Sequence, residues 1–219
     1  MQERVRIKIC GVTEPDHARD AVTAGADAIG LVFYPPSPRA LSLEQARTVR
    51  EVVPAFVSVV TLFVNADAEH VRAVIDAVRP DLLQFHGDES PDACAAFNHR
   101  YIRAFRLGGP GLESSQEVLE TCRRYSAATA WLFDSHSPGY GGSGRRFDLG
   151  LLKAVASAPD ARPIILSGGL SADNVGPSIR RVRPYAVDVS SGVETAPGIK
   201  SNEKIVAFVR SVRASSALE

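Results

Sequence analysis

Short apolar, β-rich runs alternate with amphipathic helix-period stretches along the whole chain, and this alternation is what most limits the folds open to it. The strand-like runs are Val5 to Cys10, Ala28 to Phe33, Phe56 to Val64, Leu82 to His86, Tyr101 to Phe105, Trp131 to Asp134, Ile164 to Ser167 and Ala186 to Ser190. The helical stretches between and after them are Glu14 to Ala24, Ser42 to Val52, Asp67 to Val78, Ser90 to Asn98, Gly111 to Tyr125, Asp148 to Ala156, Ser171 to Val182 and Ser201 to Arg213. Parallel strands cannot be joined by hairpins, so such alternation predicts a parallel sheet with crossover helices. Eight units point to an α/β fold of the closed (β/α)8 or TIM-barrel type, which usually needs about 250 residues and has a lower limit near 200. At 219 residues the chain predicts a compact barrel with few insertions. No linker or composition shift divides it, so residues 1–219 are expected to form a single barrel domain. Reactive groups are then expected where strands run out into βα loops, at the C-terminal rim.

Composition narrows the function. The 25 basic and 25 acidic residues cancel, which leaves no electrostatic footprint for nucleic acid or an anionic membrane surface. Cys10, Cys94 and Cys122 contain no C-x-x-C pair, so neither a zinc site nor a secreted disulfide framework is indicated. A reducing, cytoplasmic location is expected. The N-terminus has no apolar signal region, and no apolar run approaches membrane-spanning length.

The strand ends carry the chemistry. Lys8-Ile-Cys-Gly-Val-Thr13 ends the first strand, and the alternation of side chains puts Lys8 and Cys10 on one face. A buried cysteine is most often plain packing, so its neighbours decide its role. After strand two, prolines at 35, 36 and 38 stiffen a loop that presents Arg39, whose forked guanidinium suits a carboxylate or phosphate as readily as an exposed helix entry. Gln84 and His86 share a face at the end of strand four and point inward if Leu83 and Phe85 pack against helices, which makes them candidate ligand contacts, with a satisfied core histidine as the alternative for His86. Asp134 ends strand six on the inward face, where a turn cap is the ordinary alternative.

The Gly139 to Gly144 run fits neither a P-loop nor a dinucleotide fingerprint. Arg145 and Arg146 stand where the first needs Lys and Ser or Thr, and four residues separate the run from its strand. A glycine-rich loop over the barrel mouth, with Gly142 as a substrate contact, is the better reading. Ser167-Gly168-Gly169 and Ser190-Ser191-Gly192 follow strands seven and eight, the usual phosphate site of this architecture. Asp188 faces inward on strand eight, beside strand one, and is expected to pair with Lys8, since either charge buried alone would cost several kcal/mol. Nothing at the rim resembles a metal-ligand cluster.

In this order and spacing, Lys-Ile-Cys-Gly-Val-Thr from Lys8, Gly-Ala-Asp-Ala-Ile-Gly-Leu-Val-Phe from Gly25, Ser-Pro-Arg39, Gln84-Phe-His-Gly, Tyr140-Gly-Gly-Ser-Gly, Leu166-Ser-Gly-Gly-Leu and Val187-Asp-Val-Ser-Ser-Gly-Val-Glu194 resemble the phosphoribosylanthranilate isomerase family. The likeness runs from strand one to strand eight. It implies an Amadori rearrangement in tryptophan biosynthesis, on a small phosphorylated substrate and with no cofactor. It also implies Cys10 as general base, Asp134 as general acid, Arg39 on the anthranilate carboxylate, and Gly168, Gly169, Ser191 and Gly192 around the phosphate, with Ser190 as a further substrate contact. Gln84, His86, Gly142 and Asp188 complete the expected substrate-binding set. Arg103, where members of the family often carry a lysine, receives no role.

Three rivals are weighed against this. A histidine-pathway sugar-phosphate isomerase would carry an aspartate where Cys10 stands. A Schiff-base aldolase would carry a lysine where Asp134 stands. An inactive phosphate-binding barrel would not need both groups intact. A monomer or a homodimer fits the sequence equally well, and whether Lys8 tunes the thiol or is neutralised by Asp188 stays open.

Overall fold

The computed structural model describes residues 4–136 and 146–216. Eight parallel strands close into one barrel in sequence order: β1 (Arg6–Cys10), β2 (Ala28–Phe33), β3 (Ser58–Phe63), β4 (Leu82–Phe85), β5 (Tyr101–Leu107), β6 (Ala130–Ser135), β7 (Ile164–Leu166) and β8 (Ala186–Val189), with β8 pairing back to β1. Around them lie α1 (Pro15–Ala24), α2 (Leu43–Glu51), α3 (Ala68–Val78), α4 (Pro91–Ala95), α5 (Ser115–Arg123), α6 (Lys153–Ser157), α7 (Val175–Val182) and α8 (Asn202–Ser216). A short antiparallel hairpin, β9 (Glu194–Ala196) and β10 (Ile199–Lys200), is inserted between β8 and α8. Among the described residues, no helix is long and apolar enough to cross a membrane.

Two apolar layers hold the barrel. The larger lies between strands and helices, where alternate strand residues such as Ile7, Ile9, Phe63, Leu83, Trp131 and Phe133 are buried against the helical shell. Each such side chain contributes about 1.5–3 kcal/mol by leaving water. The smaller fills the barrel interior with Val60, Ile102, Ala104, Ala130, Leu132, Ile165 and Ala186. Strand periodicity of two therefore sends one set of side chains outward and the other inward, and the inward set turns polar toward the rim.

Element ends depart from the sequence reading where local capping prevails over helical periodicity. The fifth helix starts at Ser115 rather than Gly111, because Ser114 and Glu117 form a reciprocal capping box that places the first turn there. The seventh starts at Val175, because Asn174 accepts from the Ser171 amide and donates to the Gly169 carbonyl, folding 171–174 into a turn. The third strand begins at Ser58, after Phe56 has turned out with φ 70° and its ring fully exposed.

Arg103 has a structural task. It lies on the outward face of β5, where its guanidinium donates to the carbonyls of Phe85 (3.1 Å) and Gly87 (2.9 Å) and to Glu89 (2.9 Å), stacked over Tyr125. Glu89 in turn accepts from the Gly87 and Asn65 amides. The loop leaving β4 is thereby clamped from beneath, directly after His86.

Candidate active site

β1 delivers Lys8 and Cys10 to the barrel's inner face, and its register with β8 sets Lys8 directly beside Asp188. Lys8 Nζ and Asp188 Oδ1 are 2.9 Å apart and both side chains are buried, so the expected pair forms. Ser167 Oγ lies 3.5 Å from the other carboxylate oxygen. Cys10 stands one layer above, within hydrogen-bonding reach of Lys8 and against an apolar wall of Val32, Leu62 and Val64. Gly30 on β2 makes the space, because a Cβ there would lie 2.8 Å from Cys10 Sγ and 3.1 Å from Lys8 Nζ.

In this triplet Lys8 is coupled to both Asp188 and Cys10. Burial would lower the Lys8 pKa, but the Asp188 carboxylate beside it more than reverses this, so Lys8 stays an ammonium. Burial pushes the Cys10 thiol up; Lys8 opposes the rise, and Asp188 adds to it. Lys200 also draws the thiol down, but burial prevails, so the net shift is upward and favours the neutral thiol.

Cys10, Arg39, Gln84, His86, Asp134, Gly168, Gly169, Asp188, Ser190 and Ser191 line one cavity of about 210 Å³ at the C-terminal rim, with Tyr34, Val32 and Leu62 as its apolar side. Asp134 enters from β6. Its Oδ1 accepts from the Ser135 amide at 2.8 Å, and its Oδ2 lies 3.3 Å from His86 Nε2. Gln84 Nε2 lies 3.0 Å from His86 Nδ1, and a Gln84 amide donating there leaves the imidazole proton on Nε2, facing Asp134. Gln84 Oε1 is buried and makes no hydrogen bond among the described residues, and His86 Nε2 meets only the Asp134 carboxylate, at 3.3 Å. Gly168 takes φ 87°, and a Cβ on it would press on the Ser135 amide (2.9 Å) and Asp134 Oδ1 (3.1 Å). Only a bare α-carbon lets the turn after β7 close over Asp134.

Two of the expected site residues sit differently from the sequence reading. Gly192 is not part of the cavity lining; it lies in a short helical turn, Ser191–Val193, with its α-carbon against the Leu170 carbonyl, where it serves packing between the two turns. Arg39 does reach the cavity, but not as an unengaged guanidinium. Its Nε and Nη2 are held by Glu194 at 2.8 and 2.7 Å, and Glu194 is also met by Lys200 at 2.6 Å. Glu194 closes the motif at 187–194 but has no role in the sequence reading, and Lys200 is not named there, although Pro197-Gly198 between them is a turn signal that marks the hairpin. Gly142 lies outside the described residues.

A closed barrel whose rim brings a thiol and a carboxyl group into one cavity, between an arginine and two small-residue turns, defines a (β/α)8-barrel enzyme that moves protons on an anionic substrate. The model of the family "N-(5'phosphoribosyl)anthranilate (PRA) isomerase" matches residues 7–211. Relatives named N-(5'-phosphoribosyl)anthranilate isomerase include those of Bordetella petrii, 57% identical, and Bordetella parapertussis, 54% identical, each over 210 residues covering 96% of both chains. The Thermotoga maritima phosphoribosyl anthranilate isomerase has a similar structure, with a TM-score of 0.85 at 38% identity, covering 96% of this chain and 99% of that one. Another phosphoribosyl anthranilate isomerase structure, in complex with reduced 1-(o-carboxyphenylamino)-1-deoxyribulose 5-phosphate, matches with a TM-score of 0.82 at 35% identity, covering 96% and 99%. The chain belongs to the N-(5'-phosphoribosyl)anthranilate isomerase family.

Proposed function

We propose that the chain isomerises N-(5′-phosphoribosyl)anthranilate to 1-(o-carboxyphenylamino)-1-deoxyribulose 5-phosphate in tryptophan biosynthesis, with Asp134 as general acid and Cys10 as general base. The observation that carries the reading is the convergence of Cys10 and Asp134 on one cavity flanked by Arg39 and the turns after β7 and β8. The apolar side formed by Val32, Tyr34 and Leu62 suits the aromatic ring, Arg39 its carboxylate, and the Gly168-Gly169 and Ser190-Ser191 turns the phosphate.

The chemistry follows in proton steps. Asp134 gives its proton to the furanose ring oxygen as the bond from that oxygen to C1′ breaks, and the nitrogen lone pair closes an iminium at C1′. The Cys10 thiolate then takes the C2′ proton, and the released pair forms the C1′–C2′ double bond while neutralising the iminium nitrogen. The enolamine gains a proton at C1′ and loses one from its C2′ hydroxyl, which leaves the open-chain amino ketone. Burial holds the Cys10 thiol up, so Cys10 releases its proton to solvent once ring opening has placed the iminium charge beside it, before the C2′ step. Gln84 and His86 fix the side from which Asp134 is approached.

In this reading the enzyme works in the reducing cytoplasm, in keeping with three free, buried cysteines. Its assembly is a monomer or a homodimer, the latter being the state named for the Thermotoga maritima enzyme. The test is loss of substrate fluorescence on adding the purified protein. Wild type should consume the substrate, and Cys10→Ala and Asp134→Asn should each lose at least about 100-fold in kcat. Full activity in either variant sinks the assignment of its residue.

A further inference from the structure

The hairpin between β8 and α8 places a buried charge cluster behind Arg39 that the proton chemistry does not use. Glu194 holds the Nε and Nη2 edge of Arg39 in a bidentate pair at 2.8 and 2.7 Å. Lys200, across the hairpin, donates to the same carboxylate at 2.6 Å and to the Ser190 carbonyl at 3.2 Å. The side chains of Arg39, Glu194 and Lys200 are 10%, 4% and 0% exposed, so all three charges are withdrawn from water. Lys204 supports the arrangement by holding the Glu194 main-chain carbonyl.

Each member has a consequence for a ligand. Glu194 engages two of the five guanidinium N–H groups and holds the plane in place, which leaves the end-on edge, Nη1 with the second N–H of Nη2, as the fork that can meet an incoming anion. An Arg39–Glu194 pair alone would be electrically neutral, and a neutral pair attracts a carboxylate only weakly. Lys200 changes the sum: among the buried groups, two cations against one carboxylate leave one unbalanced positive charge beside the cavity, while the ammonium of the exposed Lys204 is screened by water. A buried surplus charge is costly until an anion arrives to balance it, so the cluster is built to be completed by one negative group.

We propose that Lys200 acts as a specificity device for the substrate's aryl carboxylate by supplying the net charge that the carboxylate balances, with Glu194 bridging Arg39 and Lys200 so that both cations lie buried beside the cavity. The inference rests on the substrate proposed above. Lys200 and Glu194 are positioning residues, acting through Arg39.

The experiment measures calorimetric binding of two reduced product analogues, one with the o-carboxylate and one with plain phenyl in its place. Wild type should prefer the carboxylated ligand. Lys200→Met, which keeps the apolar stem, should lower that preference at least about tenfold, the equivalent of roughly 1.4 kcal/mol. Glu194→Gln, which raises the surplus charge to two, should preserve or increase the preference, and Glu194→Gln with Lys200→Met should fall between the two single variants. A purely structural role predicts the same sign for both single changes. Equal loss of both ligands in Lys200→Met, or collapse of the preference in Glu194→Gln, overturns the inference. Failure of wild type to bind either ligand overturns the substrate assignment first and this inference with it.

Discussion

Replacing Asp188 with Asn tests the electrostatic arrangement beneath the thiol. At 2.9 Å the Lys8–Asp188 attraction is about 6 kcal/mol for an effective dielectric of about 20. The desolvation of two buried charges offsets part of this, and breaking such a pair from one side typically costs about 3–5 kcal/mol. Asp188→Asn should therefore destabilise the fold by about that amount in denaturant unfolding. The stranded ammonium has one nearby group able to balance it, Cys10, whose thiol is currently held up by burial and by Asp188 while Lys8 pulls the other way. Removing the carboxylate deletes one upward influence and releases the downward one, so the thiol should ionise at lower pH. Alkylation of Cys10 by iodoacetamide near neutral pH, followed by peptide mass mapping to separate it from Cys94 and Cys122, should accelerate by about tenfold or more. Lys8→Met should slow it. The double variant should lose less stability than the sum of the two single losses, since neither charge is then stranded. An unchanged or slower alkylation rate in Asp188→Asn would refute the coupling of Lys8 to the thiol.

Two further outcomes follow from steric and ionic contacts near the site. Gly30→Ala would place a methyl group 2.8 Å from Cys10 Sγ and 3.1 Å from Lys8 Nζ; steady-state kinetics should show a kcat loss of about tenfold or more with a smaller change in KM, and unfolding should show about 1–3 kcal/mol of overpacking. Arg103→Leu strands the buried Glu89 carboxylate and unclamps the loop after His86, so thermal and chemical unfolding should register a loss of about 3–5 kcal/mol; a wild-type unfolding midpoint would disprove the clamp.

The barrel was legible in the sequence because its physics is local and repeated. Strands buried on both faces leave near-continuous apolar runs, and amphipathic stretches between them can only be crossovers. The Lys8–Asp188 pair was legible for a similar reason: strand order and alternation together put two opposite charges on adjacent inward positions of β8 and β1. The Arg39–Glu194 pair was not, since it joins a loop residue to a residue of the inserted hairpin 155 positions away, and the loop has no periodicity from which to infer facing. Helix starts failed where a side chain competed with helical spacing. Ser114 and Glu117 carried the signature of a capping box in plain view, yet the apolar spacing from Gly111 onward masked it. At Asn174 the competing turn depends on the carbonyl of Gly169, which sequence does not orient.

The charge arrangement also gives a reason for a thiol, rather than a carboxylate, at the end of β1. Lys8 lies beneath that position but is shared with Asp188, so a permanent anion in place of Cys10 would be desolvated and would face the Asp188 carboxylate across a cation already paired. A buried anion so placed would cost several kcal/mol in the empty enzyme. A thiol avoids that cost by staying neutral, as burial makes Cys10 do. The charge is needed only after ring opening, and at that moment the substrate carries an iminium whose positive charge offsets the thiolate. The base is thus silent until the step that requires it, with the surplus positive charge of the Arg39, Glu194 and Lys200 cluster left free for the substrate's own carboxylate.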